Sequence, residues 1–223
     1  MDGMTGNDHA AEQVRRKQVG TTQDARNTRG QRLAERKSDL RRRLLAARAS
    51  LSVADRRDAG RALRDLVLDL PETGMAGAIA AYVSVGSEPE TRALLYALWK
   101  RGSYVLLPVM TADNDLDWAS YEGPDSLGPG PHGLLEPTET RRGPGAITSA
   151  DLIVVPALAV DRRGNRLGRG GGCYDRALAR VGPSVPTIAL VYDGELLDEL
   201  PAGPLDQPVT VVAQPAGGIT RLA

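Results

Sequence analysis

Four short stretches of this chain are apolar without the polar alternation of a half-exposed strand. They are AGAIAAYVS at 76–84, YVLLPVM at 104–110, DLIVVPALAV at 151–160 and PTIALVY at 186–192. Strands that are apolar on both faces occur in sheets covered on both sides, which is the usual environment of parallel strands. Segments with helical spacing separate most of these stretches, as the crossovers of a parallel sheet require. The sequence therefore predicts an α/β fold with three layers, α/β/α, around a mainly parallel central sheet.

The remaining segments complete this pattern. Ser52, followed by Asp55, has the spacing of a capping box and predicts the start of a helix that ends before Pro71. Helices are predicted for LAERKSDLRRRLLAARASLS from about residue 33, ADRRDAGRALRDLVLDL from 54, TRALLYALWKRG from 91, CYDRALARV from 173 and ELLDEL from 195. Two further strands are predicted, LDWASY at 116–121 and PVTVVAQ at 208–214, and the Gly- and Pro-rich residues 122–148 should be largely loop.

Composition limits the domain organisation and the partners. Residues 1–32 are polar without an apolar period, so they are predicted to be a disordered N-terminal extension, followed by a single α/β domain at 33–223. Acidic and basic residues number 28 each, which gives no reason to expect nucleic acid or a membrane as a partner. The single cysteine, Cys173, and the lack of a charged-then-apolar leader predict a cytoplasmic protein.

The stretch DRRGNRLGRGGGCYDRAL at 161–178 places five glycines between an apolar strand and a predicted helix. It is neither a Walker loop, which has lysine where Cys173 stands, nor a dinucleotide fingerprint, which has glycine there. Glycine N–H groups before a helix, flanked by Arg166 and Arg169, nevertheless favour an anion such as phosphate. Asp175, in the first helical turn, could hold a Mg²⁺ that bridges phosphate oxygens. The alternative is a flexible surface loop.

The same stretch resembles the signature of the 5-formyltetrahydrofolate cyclo-ligase family, also called methenyltetrahydrofolate synthetases. That signature has the form F-D-x-x-G-x-R-L-G-x-G-x-G-x-Y-D-R. The matching positions are Asp161, Gly164, Arg166, Leu167, Gly168, Gly170, Gly172, Tyr174, Asp175 and Arg176. A match of this length is specific, unlike a bare glycine triplet.

Other segments resemble the family in the same order along the chain. KSDLR, from Lys37 to Arg41, corresponds to a basic helix, and its spacing puts both cations on one face, where they can reach one polyphosphate. A charged surface helix is the alternative for that segment. AYVSVGSEPET resembles a tyrosine strand and its following loop, which implies that Val83 and Glu88 contact folate. LLPVM and HGLLEP also agree, and LPAGPLDQPVT puts Asp206 where a second Mg²⁺-contacting carboxylate is expected.

The resemblance implies a fold like that of sugar-phosphate isomerases and CoA transferases. It also implies that a monomer uses ATP and Mg²⁺ to convert 5-formyltetrahydrofolate, with or without a polyglutamate tail, into 5,10-methenyltetrahydrofolate, ADP and phosphate. The implied catalytic residues are Arg169 and Lys37, and the implied Mg²⁺ ligands are Asp175 and Asp206. The implied ATP-binding residues are Lys37, Ser38, Asp39, Leu40, Arg41, Arg166, Leu167, Gly168, Arg169, Gly170, Gly171, Gly172, Cys173 and Tyr174. The implied folate-binding residues are Val83, Glu88, Arg169, Gly170, Gly171, Gly172 and Cys173.

The chain departs from the family pattern at four positions. Val160 and Cys173 stand where aromatic residues are usual, Glu195 where glutamine is frequent and Thr210 where aspartate is frequent. The first three affect packing or pocket walls, and none removes a phosphate- or metal-binding group. Two other functions stay open, a phosphate-binding scaffold with isomerase or transferase chemistry and a non-catalytic nucleotide-binding regulator. An isomerase needs an acid and a base that converge near the loop, and His132 is better interpreted as a loop residue.

Overall fold

The structure is a computed structural model that describes the backbone of residues 6–222 and the side chains of residues 28–222 except that of His132. Its α-helices are α1 Gly6–Ala49, α2 Val53–Leu68, α3 Pro71–Met75, α4 Arg92–Lys100 and α5 Cys173–Leu178. Its strands are β1 Ala78–Ala80, β2 Tyr104–Met110, β3 Leu116–Ser120, β4 Leu127–Pro129, β5 Leu135–Pro137, β6 Leu152–Pro156, β7 Ala159–Asp161, β8 Arg166–Leu167, β9 Thr187–Leu190, β10 Leu196–Leu197, β11 Val211–Gln214 and β12 Gly218–Arg221. Short 3-10 helices occur at Pro124–Ser126, Pro131–Gly133 and Pro144–Ser149.

The chain divides into two compact units, Met1–Leu40 and Arg41–Ala223. Helix α1 begins at Gly6, whereas the sequence predicts a helix only from about residue 33. The intervening residues contain good helix formers and no proline, so helix formation there needs no apolar face. The disorder of residues 1–32 and the single domain at 33–223 stay predictions. Among the described residues, no helix is long and apolar enough to span a membrane.

A seven-stranded sheet forms the centre of the second unit, in the order β12-β11-β9-β6-β1-β2-β3. The strands from β11 to β2 run parallel, and the edge strands β12 and β3 run antiparallel to their neighbours. The register pairs Ile79 with Leu152, and Val154 with Ile188. The mainly parallel sheet predicted from the apolar stretches is confirmed.

Successive residues of the inner strands alternate between two apolar cores. Ile79, Leu152 and Val154 pack in one core with α2 and α4. Ala80 and Ile153 pack in the other core with α5. These strand residues are fully buried, and burial of each large aliphatic side chain contributes about 1.5–3 kcal/mol. Because helices cover both faces of the sheet, the three-layer α/β/α arrangement is confirmed.

Several short strands differ from the sequence-based predictions. ELLDEL, predicted as a helix, contains β10, because Leu196 pairs with Val160 of β7. DLIVVPALAV forms two strands, β6 and β7, and only β1 of AGAIAAYVS lies in the sheet. Strand β8 lies in a predicted loop, the hairpin of β4 and β5 lies within 122–148, and β12 was not predicted. These strands form because they pair with segments that are distant in the sequence. The local hydrophobic pattern carries no information about such pairing.

The carboxylate of Asp161 holds together the turn that leads into the glycine-rich stretch. Its Oδ1 accepts the backbone N–H groups of Arg163 and Asn165, both at 2.9 Å. Its Oδ2 accepts Nδ2 of Asn165 at 2.8 Å and the backbone N–H of Leu200 at 3.0 Å. Burial raises the pKa of Asp161, but these hydrogen bonds together outweigh burial and lower it. The ionised carboxylate is therefore the form that stabilises the fold.

Within this turn, Gly164 has a positive φ of 84°. A Cβ atom at this position would lie 2.5 Å from the backbone oxygen of Val209. The backbone N–H of Val209 also donates to the backbone oxygen of Gly164 at 2.9 Å. The close approach of these two segments therefore requires glycine at this position.

We expect Asp161→Asn to lower the free energy of unfolding at neutral pH by about 1.5–3 kcal/mol, since the hydrogen bonds to a charged group are lost or weakened. The folded pKa of Asp161 lies below its unfolded value, so the stabilisation is complete above the unfolded pKa of about 3.9 and is lost as the pH falls through the folded pKa. Urea unfolding at a series of pH values measures this difference. Asp198→Asn is the control, because the ion pair of Asp198 with Arg162 is exposed. If the loss of unfolding free energy in Asp161→Asn did not change with pH, the stabilising role of the ionised carboxylate would be contradicted.

Candidate active site

The glycine loop, residues 168–172, lies at the carboxyl edge of the parallel sheet. Arg166 precedes the loop and donates through Nη1 to the backbone oxygen of Pro156, the last residue of β6, at 3.2 Å. Arg169, within the loop, donates through Nη2 to the backbone oxygen of Val85, five residues beyond the end of β1, at 3.1 Å. The edge where parallel strands end is where open α/β sheets bind ligands. The predicted phosphate loop is therefore placed at the ligand-binding edge of this fold.

The loop conformation depends on two of its glycines. Gly170 has φ 115° and Gly172 has φ 68°, both in the region that favours glycine. Gly172 precedes α5, which has only six residues, so the helix dipole adds little positive potential. The loop's backbone N–H groups and the surrounding arginines are therefore the main source of positive potential for an anion.

Arg41 joins the end of the basic helix to this loop. Its Nε donates to the backbone oxygen of Gly168 at 2.8 Å, and a Cβ atom at Gly170 would lie 3.4 Å from its Cζ. The structure therefore brings one of the two predicted polyphosphate cations to the loop. The other predicted ATP-binding residues of the basic helix, Lys37, Ser38, Asp39 and Leu40, belong to the first unit, and their role stays a prediction.

Arg166 is almost fully buried, and its guanidinium organises the base of the loop. Its Nη2 forms an ion pair with Oδ1 of Asp175 at 2.9 Å, and its side chain is 3% exposed. The guanidinium also lies 5.8 Å from the centre of the Tyr174 ring. A Cβ atom at Gly168 would come within 2.8 Å of its Nη1. Two nitrogens of Arg166 are thus engaged within the protein, and its contact with ATP stays a prediction.

Arg169 and Glu88 form an ion pair that joins the glycine loop to the loop after β1. Nε of Arg169 lies 3.0 Å from Oε1 of Glu88. Oε2 of Glu88 accepts the backbone N–H of Val85 at 2.8 Å, which fixes the carboxylate. The Arg169 side chain is half exposed, the Glu88 side chain is largely buried, with 9% exposed, and Val83 is buried. The implied catalytic arginine and the implied folate-binding glutamate are therefore in direct contact.

The segments that carry the two implied metal ligands are in contact. The backbone N–H of Gln207, which follows Asp206, donates to Oδ1 of Asp175 at 3.2 Å. The Asp206 carboxylate accepts the backbone N–H of Gly203 at 2.7 Å. Among the described residues, no group of three or more metal-ligating side chains gathers. Two carboxylates nevertheless fit Mg²⁺, which usually takes one or two protein carboxylates together with phosphate oxygens and water.

Three tyrosines near Glu88 have raised pKa values. Burial is the main cause for Tyr82 and Tyr174, and the negative charge of Glu88 raises the pKa of each further. Burial also raises the pKa of Tyr192, and the Arg48 guanidinium partly opposes it. All three hydroxyl groups therefore stay protonated near neutral pH and can donate hydrogen bonds.

Several interactions at this edge could not be found from the sequence patterns. Arg48 forms a buried ion pair with Glu195 at 2.7 Å, and its Nη2 also donates to the backbone oxygen of Ala157. Glu195, noted as a departure from the family, is thus the partner of a buried cation. Arg176 donates to the backbone oxygen of Gly171 at 3.0 Å and braces the loop from α5. The sequence signal is an arginine near the end of the basic helix α1 for Arg48 and a matched motif position for Arg176.

The remaining loop residues have packing contacts. Leu167 is 2% exposed, and its backbone oxygen accepts the N–H of Leu158 at 2.7 Å. Cys173 is half-buried, with Sγ 3.9 Å from Sδ of Met110. This contact supports the interpretation of the thiol as a packing group.

Comparison with known proteins assigns the family. A sequence model of the 5-formyltetrahydrofolate cyclo-ligase family matches residues 33–215. The chain belongs to the 5-formyltetrahydrofolate cyclo-ligase family. It is 45% identical over 193 residues to the 5-formyltetrahydrofolate cyclo-ligase of Mycolicibacterium smegmatis, a match that covers 83% of this chain and 97% of that protein. The Escherichia coli cyclo-ligase is 27% identical over 172 residues, which cover 76% of this chain and 94% of that protein.

A solved structure agrees with this assignment. The NMR structure of Aquifex aeolicus 5,10-methenyltetrahydrofolate synthetase is similar with a TM-score of 0.73 and 30% identity. The match covers 83% of this chain and 92% of that chain. The expected family and its α/β fold are therefore both confirmed. Membership also makes an unrelated isomerase or transferase scaffold the weaker interpretation.

We expect the Arg166–Asp175 ion pair to show strong energetic coupling. Asp175→Asn should lower the free energy of unfolding by about 1.5–3 kcal/mol, because it leaves a buried guanidinium without a carboxylate. Arg166→Met should also destabilise, whereas the double variant should lose less than the sum of the single variants. Urea unfolding of the four proteins without ligand measures the coupling. Additive effects would show that the pair does not hold the base of the loop.

Proposed function

We propose that this chain catalyses the ATP- and Mg²⁺-dependent conversion of 5-formyltetrahydrofolate into 5,10-methenyltetrahydrofolate, with release of ADP and phosphate. The observation that supports it most is the Arg169–Glu88 contact at 3.0 Å. It joins a glycine loop suited to phosphate with a buried carboxylate suited to the N–H groups of a pterin. Membership in the family and the names of the relatives support the same reaction.

The proposed reaction has two steps. First, the formyl oxygen attacks the γ-phosphorus of ATP, the bond to the bridging oxygen breaks and ADP leaves. Next, N10 of the folate attacks the activated formyl carbon and loses its proton, while the carbon–oxygen bond breaks and phosphate leaves with the electron pair. Such chemistry needs positioning and charge neutralisation more than a protein nucleophile.

Different residues of the chain have different roles in the proposed reaction. Arg41 neutralises the triphosphate, as the family resemblance also implies for Lys37, and the N–H groups of the glycine loop hold its oxygens. Arg169 leaves or shares its contact with Glu88 and approaches the transferred phosphoryl group. Glu88 and Val83 hold the pterin. These assignments follow the contacts of Arg41 and Arg169 with the loop and with Glu88.

Asp175 and Asp206 would hold Mg²⁺ in this scheme. Both hydrogen bonds accepted by Asp175 end on Oδ1, so Oδ2 is the oxygen suited to a metal ion. The bound ion would neutralise charge on the phosphate oxygens. The Asp175 carboxylate then has two tasks, since it also neutralises the buried Arg166. Replacing it therefore tests stability and metal binding together.

Purified protein supplied with 5-formyltetrahydrofolate, ATP and Mg²⁺ should generate the near-ultraviolet absorbance of the methenyl product. Omission of ATP or Mg²⁺ should abolish it. Arg169→Lys should reduce kcat by about 10²–10³-fold, because lysine cannot replace a forked donor in a preorganised site. Lys37→Ala should reduce turnover mainly through a higher KM for ATP.

Arg162→Lys is the matched control for Arg169→Lys. Arg162 lies in the same glycine-rich stretch, but its ion pair with Asp198 is exposed. This variant should keep normal turnover. Absence of absorbance growth with folded protein would refute the proposed reaction, and full turnover of Arg169→Lys would refute the role of Arg169 alone.

A further inference from the structure

Among the residues that the structure describes, two tyrosine hydroxyl groups at the carboxyl edge of the sheet are buried without a hydrogen-bond partner. They are Oη of Tyr82, two residues beyond β1, and Oη of Tyr192, two residues beyond β9. The two residues are 3% and 7% exposed. In the sheet order β9-β6-β1, the two residues follow strands that are separated by one strand, β6. A buried hydroxyl without a partner is unfavourable and is satisfied when an acceptor atom occupies the position beside it.

Tyr82 is the more informative of the two because it begins the loop that carries Glu88. Its backbone oxygen accepts the hydroxyl of Thr91 at 2.7 Å, which closes the loop at residues 82–91. The side chains of Glu88 and Tyr174 both interact electrostatically with the Tyr82 hydroxyl. Tyr192 lies against the guanidinium of Arg48, whose carbon is 5.2 Å from the ring centre, and the charge of Arg48 also acts on the Tyr82 hydroxyl. A donor and an acceptor therefore lie near each other on the Tyr82 loop.

The chemistry of this pair defines the ligand group that fits it. The Glu88 carboxylate accepts hydrogen bonds, and the Tyr82 hydroxyl stays protonated and donates one, because burial holds its pKa well above the ordinary value. The pyrimidinone ring of a reduced folate has an amino group and a ring N–H next to a carbonyl oxygen. Its donors match the carboxylate, and its carbonyl oxygen matches the hydroxyl.

We propose that Tyr82 is a folate-binding residue whose hydroxyl donates to the carbonyl oxygen of the pyrimidinone ring, beside Glu88. This inference rests on the proposed function, because it assigns the orientation of the folate in that site. It adds a direct hydrogen bond from a residue for which the sequence comparison gave no role. The formyl group is left free to meet the triphosphate.

The test compares binding of 5-formyltetrahydrofolate and tetrahydrofolate to the unmodified chain and to Tyr82→Phe. Both ligands contain the pyrimidinone ring, and only the first has the formyl group. Calorimetric titration should show that both dissociation constants rise by about tenfold in Tyr82→Phe, because one hydrogen bond to the ring is lost. The ligand-free variant should unfold at the same or a higher temperature, since it no longer buries an unpartnered hydroxyl. In turnover, KM for the folate should rise while KM for ATP stays the same.

Tyr104→Phe is the matched control. Its hydroxyl is also buried without a partner, but Tyr104 begins β2 at the amino edge of the sheet and lies against Arg142. This variant should also keep or raise the unfolding temperature, and it should bind both folates like the unmodified chain.

Three results would overturn the inference. One is unchanged binding of both folates by Tyr82→Phe, and another is weaker binding of the formylated folate alone, which would place the hydroxyl at the formyl group. The third is a clearly lower unfolding temperature of ligand-free Tyr82→Phe, which would show an internal partner for the hydroxyl. Failure of the unmodified chain to bind either folate would instead contradict the proposed function.

Discussion

The buried guanidinium of Arg166 is the interaction on which the candidate site depends. A cation removed from water is costly unless it is neutralised and hydrogen-bonded, and here the carboxylate of Asp175 neutralises the charge while Nη1 donates to the backbone oxygen of Pro156. These contacts bring the end of β6 and the start of α5 together at the base of the glycine loop. The backbone N–H of Gln207, next to Asp206, donates to the same Asp175 carboxylate. The Arg166–Asp175 ion pair therefore also holds the segment that carries Asp206.

The loop held in this way has few polar side chains of its own, so its neighbours determine its chemistry. Arg41 contacts its first glycine, Arg176 contacts Gly171, and Arg169 extends from it to Glu88. Cations and N–H groups on one side therefore meet a buried carboxylate and protonated tyrosines on the other. This arrangement suits the proposed transfer of a phosphoryl group to the formyl oxygen of a folate, which needs positioning and charge neutralisation.

The parallel sheet, most helices and the glycine loop could be predicted from the sequence, because apolar runs and glycine spacing are local signals. Strand β10 was wrongly predicted as a helix, because its two residues are fixed only by pairing with Val160 of β7. The Arg48–Glu195 pair was missed since it joins residues 147 positions apart. Contacts made by backbone groups, such as those of Val85 and Gln207, do not depend on the type of residue, so the sequence cannot indicate them.

In the proposed reaction, this edge of the sheet brings the formyl oxygen of the folate to the γ-phosphate of ATP. The fate of that oxygen tests this proposal most directly. 5-Formyltetrahydrofolate labelled with oxygen-18 in the formyl group should transfer the label to the inorganic phosphate that is released, one labelled oxygen for each turnover. Mass spectrometry of the phosphate measures this transfer. Unlabelled phosphate formed together with the methenyl product would contradict the account, because the formyl oxygen would then have left without being phosphorylated.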